Sequence, residues 1–154
     1  MYLLDTNHCS RLILGDAPFA RRVADAGEGE IRTCVIVAGE LMDMAHRSER
    51  AVANLPSFRS FLEDIALYSV DEATAAIYGE FKAALFVKFG PKEKEKRRRF
   101  TLSQLGVGEN DLWIASIALQ HGLIVISADE DFTRLQQVQF FALENWNTPR
   151  ARAS

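Results

Sequence analysis

Residues 109–132 read ENDLWIASIALQHGLIVISADEDF. From Leu112 onward, the first half is apolar on nearly every face. That predicts a buried helix over 109–121 with Asp111 at its N-terminus. Gly122 interrupts the pattern. The run Leu123–Ser127, LIVIS, is bounded by Gly122 on one side and Ala128-Asp129 on the other. A short continuous apolar run of this kind reads as a strand buried on both faces. Helical spacing resumes over 129–136. A strand hidden on both faces needs helices on both sides of its sheet, so this stretch places the chain in the α/β class.

The same alternation extends toward both ends. Further strands are expected at Tyr2–Leu4, Ile31–Ile36, Ile65–Val70 and Phe140–Leu143. Segments with helical spacing lie at about 8–26, 37–64 and 71–105. Strands alternating with helices predict a central, mainly parallel sheet of four to five strands covered on both sides. In such sheets ligands bind beyond the carboxyl ends of the strands.

That rule gathers four acids. Asp5, in YLLDTN, directly follows the first strand. Glu40, in VIVAGELMDMA, comes soon after the second. Asp129 follows LIVIS, and Asp111 opens the helix before it. Each has a plain structural role open to it: Asp5, Asp111 and Asp129 as helix caps, Glu40 as half of a salt bridge. Glu40 is the sharper case. It is placed on the apolar stripe marked by Val37, Leu41 and Met44, so it should face inward and need a partner. Four carboxylates meeting in one place would repel one another, raise each other's pKa and require a cation. Mg²⁺ or Mn²⁺ prefers such oxygen ligands. Asp131 is a further ligand candidate and Asp43 a weaker one. Thr6, Asn7 and Ser127 are candidates for orienting the acids, Thr6 and Asn7 acting on Asp5.

Composition bounds the partners. The chain has 154 residues, 48% apolar and 25% charged, as a soluble globular domain would. No run approaches the roughly 18 apolar residues of a membrane span. MYLLDTN has no basic region followed by a signal-type run, so a cytoplasmic protein without membrane contact is expected. One domain over 1–147 and a flexible tail over 148–154, with Arg150 and Arg152, complete the expected organisation. The two cysteines, Cys9 and Cys34, lack metal-type spacing, and Cys34 reads as a buried, reduced thiol. The histidines His8, His46 and His121 are scattered and read as bland. Net charge is −3, yet KEKEKRRR at 92–99 carries six basic and two acidic residues. Its Lys-Glu half resembles a solvated helix face. Arg97, Arg98 and Arg99 are the candidates for RNA phosphate contact.

The order YLLDTN, VAGELM, ENDLWIASIALQHGLIVISADEDF, FFALENW resembles the PIN-domain ribonucleases, closest in style to the VapC-like toxins of type II toxin–antitoxin pairs. The similarity runs from Tyr2 to Trp146. It implies a three-layer α/β/α PIN-like fold and a catalytic metal site at Asp5, Glu40, Asp111 and Asp129. It also implies Mg²⁺ or Mn²⁺, an RNA substrate hydrolysed at its phosphodiesters, frequent homodimerisation and a cognate antitoxin. The stretch 86–108 is longer than in the shortest relatives. Two alternatives stand beside the ribonuclease: a catalytically silent PIN-like binding module, and a Mg²⁺-dependent phosphohydrolase or receiver-like domain. Against the last, no DxD follows the first strand.

Overall fold

The computed structural model of the protein describes residues 1–147. The expected tail at 148–154, with Arg150 and Arg152, lies outside the described residues. Five short strands form one sheet: β1 (Tyr2–Leu4), β2 (Ile31–Cys34), β3 (Ala66–Tyr68), β4 (Ile124–Ile126) and β5 (Leu143–Glu144), in the order β3-β2-β1-β4-β5. Every pairing is parallel. The chain winds from β1 outward through β2 to β3, then returns to the other side of β1 for β4 and β5. The winding direction therefore reverses between β1 and β4, where Tyr2 pairs with Ile124 and Leu4 with Ile126. Such a reversal opens a crevice at the carboxyl ends of the two strands.

Among the described residues, eight α-helices accompany the sheet in a three-layer α/β/α arrangement: α1 (Thr6–Ile13), α2 (Ala17–Ala26), α3 (Val35–Arg47), α4 (Ala51–Asp64), α5 (Glu72–Phe89), α6 (Lys94–Arg99), α7 (Glu109–His121) and α8 (Glu130–Gln136). The apolar helix at 109–121 is present with the bounds its sequence predicts. Leu112, Ile114, Ala115, Ser116, Ile117 and Ala118 are all buried, and α7 packs against α3, α5 and α8. It ends at Gly122, whose φ of +62° suits a residue without Cβ, and Leu123 N–H then donates to Ala118 O at 2.9 Å. The strand after it has Val125 and Ile126 fully buried.

Three long helical segments are divided. The 8–26 segment breaks at Gly15, where φ is +80°, and restarts with Asp16 capping Phe19 N–H at 3.0 Å. The 37–64 segment breaks between Arg47 and Ala51, and the 71–105 segment stops at Gly90-Pro91. The edges of the strands also contract. The expected Ile31–Ile36 strand ends at Cys34 because Val35 already begins α3. The last strand forms at Leu143–Glu144, not Phe140–Leu143, and leaves Phe140 exposed. Beyond it, Trp146 is buried, 5.0 Å from the Tyr2 ring and 6.1 Å from the Phe19 ring between centroids. Cys9 and Cys34 are free and buried, and burial pushes the Cys34 thiol up to about 11.

Candidate metal centre

Asp5 lies one residue past β1 and caps α1. Its backbone N–H donates to Ile126 O at 3.2 Å, which carries the β1–β4 ladder up to the acid itself. Its side chain is nearly buried, at 4% residue exposure. Oδ1 accepts from His8 N–H at 2.8 Å and lies 2.7 Å from His8 Nδ1. Asn7 is exposed and, among the described residues, its side chain bonds to none of the acids. The side chain that contacts Asp5 is thus His8, where Thr6 and Asn7 were expected. Thr6 turns the other way and donates Oγ1–H to Glu40 Oε2.

Glu40 sits in the second turn of α3, half-buried. The buried stripe of this helix is Val37, Leu41 and Ala45, whereas Met44 is 39% exposed. Glu40 therefore borders the stripe and does not lie within it, which turns its carboxylate toward the strand ends instead of into the core. Both of its oxygens are held: Oε2 by Thr6, and Oε1 by Asn110 Nδ2 at 2.7 Å. Asn110 has no counterpart in the sequence-based expectations. Its signal was its place beside Asp111 at the head of the buried helix.

Asp111 is the centre of the electrostatics. Its carboxyl is pushed up to about 8 by burial first, then by the charges of Asp129, Asp131 and Glu40 and by a hydrogen bond with Asp131. Space for it depends on Gly108, since a Cβ there would stand 2.6 Å from Asp111 Oδ2. Gly108 N–H also donates to Asp131 Oδ2 at 2.8 Å. Asp129 is exposed and caps α8 through a bond from Asp131 N–H to Oδ1 at 3.0 Å. Ser127, 2% exposed, accepts the Asp129 N–H at 3.0 Å and so sets the start of this turn.

Neighbouring acids are kept apart from the group. Glu109 is paired with Lys82 at 2.7 Å, and Asp43 is exposed and paired with Arg47. The arm α6 is exposed along its length. Within it Arg97 is tied to its own loop, donating to Pro91 O at 3.0 Å and Lys92 O at 2.8 Å, which leaves Arg98 and Arg99 as the free guanidinium candidates. A hollow of about 440 Å³ bordered by Ser103, Gly106, Gly108, Glu109 and Asp131 opens beside the acids.

The donor set suits a hard divalent cation: carboxylate oxygens from α1, α3, α7 and α8 or their caps, a glycine that leaves room for one of them, and mutual repulsion that a cation would relieve. Among the described residues, no three His, Cys, Asp or Glu side chains close on one point as they stand. A Mg²⁺-type site retains several waters, so direct bonds from every acid are not required.

An all-parallel sheet whose strand order reverses between β1 and β4 defines an α/β protein of the doubly wound class. The family comparison makes this specific: the PIN domain model matches residues 2–138, and the chain belongs to that family. No curated protein matches it. Among solved structures, it is similar to VapBC2 from Rickettsia felis bound to a DNA fragment from their promoter (22% identity, TM-score 0.74, covering 94% of this chain and 98% of that one). It is also similar to DNA-bound VapBC from Salmonella typhimurium (23%, 0.74, 94% and 97%) and VapBC-1 from nontypeable Haemophilus influenzae (22%, 0.71, 96% and 98%). At these identities the likeness is one of fold. No helix among the described residues is long and apolar enough to cross a membrane.

Proposed function

We propose that this protein is a metal-dependent endoribonuclease that hydrolyses RNA phosphodiesters, acting as the toxin of a toxin–antitoxin pair. The observation that carries the reading is that Asp111 is acted on by the charges of Asp129, Asp131 and Glu40, while Thr6, next to Asp5 at the end of β1, holds Glu40. A structural salt-bridge network would interleave cations there. Instead, carboxylates act on one another, and the groups that hydrogen-bond them come from Thr6, His8, Asn110 and Gly108.

Asp5, Glu40, Asp111 and Asp129 are the residues that would hold Mg²⁺ or Mn²⁺, with Asp131 either a further ligand or the group that orients Asp111. When bound, the cation lowers the pKa of a coordinated water and offsets charge on the phosphate. Thr6 and Asn110 fix Glu40 by both oxygens, so the carboxylate is oriented before substrate arrives. Ser127 sets the backbone from which Asp129 projects. The hollow beside Gly108 and Asp131 offers room for a nucleotide flanking the scissile bond, and Arg98 and Arg99 offer charge for its phosphates. A cognate antitoxin, a homodimeric state and a cytoplasmic location belong to the same proposal. So does a single functional unit over 1–147, which Trp146 supports by packing on Tyr2 beyond the matched stretch.

Incubating the purified chain with structured RNA tests the reading. Cleavage is expected with Mn²⁺, none with chelator, and none with Asp5→Asn in either condition. Intact RNA under every condition would return the chain to the silent binding-module reading.

A further inference from the structure

His8 is 1% exposed, deep for an imidazole, and its ring lies 5.1 Å from that of Phe19 at a tilt of 56°. Its two nitrogens have different surroundings. Nδ1 is 2.7 Å from Asp5 Oδ1. Nε2 is buried with no hydrogen-bond partner among the described residues. These contacts select a tautomer. With the proton on Nε2, a buried donor would be unsatisfied and the Nδ1 lone pair would face a carboxylate oxygen at hydrogen-bond distance. With the proton on Nδ1, the short contact becomes a donated hydrogen bond to Asp5, and the unpaired buried atom is the Nε2 acceptor.

The contact exceeds what the fold requires of this position. As the third residue of α1, His8 already satisfies the Asp5 cap through its backbone N–H. A leucine would fill the space against Phe19. The side-chain bond adds a second donor to the same oxygen, Oδ1, and thereby fixes the plane of the carboxylate.

We propose that His8 is a positioning residue of the acid site: its Nδ1–H locks Asp5 through Oδ1, so that Oδ2 is presented to a divalent cation. This rests on reading the acids as a cation site. It assigns a role to a residue that touches neither substrate nor cation, and it explains why a ring nitrogen lies against the carboxylate of the buried Asp5. A carboxylate held on one oxygen by a second residue binds metal in a fixed direction, and loss of such a partner typically weakens binding about 10–100-fold.

Titration calorimetry of Mn²⁺ into the full chain tests this, using wild type, Asp5→Asn, His8→Leu, His8→Asn and His8→Gln. Asn carries its amide nitrogen near the place of Nδ1, whereas Gln carries it near that of Nε2. His8→Leu and His8→Gln should bind Mn²⁺ about 10-fold or more weakly, with His8→Asn within about threefold of wild type. Melting without metal separates packing from positioning: a merely structural histidine would lower the melting temperature of the Asn and Gln variants alike and leave their Mn²⁺ affinities equal. Equal affinities for Asn and Gln, or wild-type affinity in His8→Leu, overturn the proposal. If His8→Leu does not fold, the Asn and Gln pair decides. Mn²⁺ binding that is lost in Asp5→Asn but unchanged in every His8 variant removes the role of His8 alone. Absence of binding in the wild type removes the cation site itself.

Discussion

At the residue scale, Asp111 links the acid cluster to stability. Its folded-state pKa stands near 8 against an ordinary value of 3.8. Between those values the folded chain binds a proton that the unfolded chain has released, so stability falls as pH rises through that window. Asp111→Asn removes the penalty. With chelator present, the variant should match wild type near pH 4 and melt about 3–6 °C higher at pH 8, from about 1–2 kcal/mol once solvent screening is allowed for. Thermal melts at the two pH values check this, and a variant less stable than wild type at pH 8 would count against the clustering. Gly108→Ala acts on the same carboxylate by contact. Displacing Asp111 by the added methyl should slow RNA cleavage about 10–100-fold while the fold persists, and a rate equal to wild type would show that the gap at Gly108 has no bearing on the site.

The residues also show where sequence was sufficient. The positions of Asp111 and Asp129 were legible because each sits at the edge of an unmistakable apolar element. Glu40 was found for a reason that the structure amends: the stripe runs through Ala45, not Met44, and Glu40 lies at its margin. His8 and Asn110 were missed because their significance depends on which acid they touch, a tertiary relation. Only the i,i+3 spacing of Asp5 and His8 on one helix face hinted at it.

At the element scale, strand and helix identity followed apolar patterning, whereas helix ends followed local chemistry that the patterning overran. Apolar spacing continues through Gly15 and through Ser48–Arg50, yet a positive φ at the first and a change of direction at the second divide the helices. The arm α6 needs both kinds of reading. Its composition marks it as basic and exposed, but only the structure shows Arg97 spent on the carbonyls of Pro91 and Lys92. The three arginines should therefore separate. Arg98→Gln with Arg99→Gln should weaken RNA binding most at low salt and reduce the log–log salt slope by about 0.7 for each phosphate no longer neutralised. Arg97→Gln should instead loosen the loop at 91–99, seen as faster amide exchange there. Filter binding across a salt series would show an unchanged slope in the double variant if α6 is only a solvated face.

At the scale of the whole molecule, parallel winding brings Glu40 of α3 within electrostatic reach of Asp111 of α7 and sets the Asp5 backbone against the end of β4. Asp5 stands beside β4 because Leu4 pairs with Ile126, and Glu40 reaches α7 because α3 packs on it. The topological rule for strand ends made the reversal between β1 and β4 the expected place for a site, but the hydrogen bonds that hold each carboxylate were not legible. A chain with this site should arrest growth when expressed alone in a bacterial host, and Asp5→Ala should not; equal growth would favour a silent module. The central claim, that these acids work as one unit, is tested most directly by single-turnover cleavage of one RNA oligonucleotide in Mn²⁺. Each of Asp5→Asn, Glu40→Gln, Asp111→Asn and Asp129→Asn should slow cleavage about 100-fold or more, as loss of one electrostatic group at a reacting centre does. The double variant Asp5→Asn/Asp111→Asn should be little slower than either single variant, because groups that act together fail together. Wild-type rates in the single variants, or losses that multiply independently in the double variant, would contradict the account.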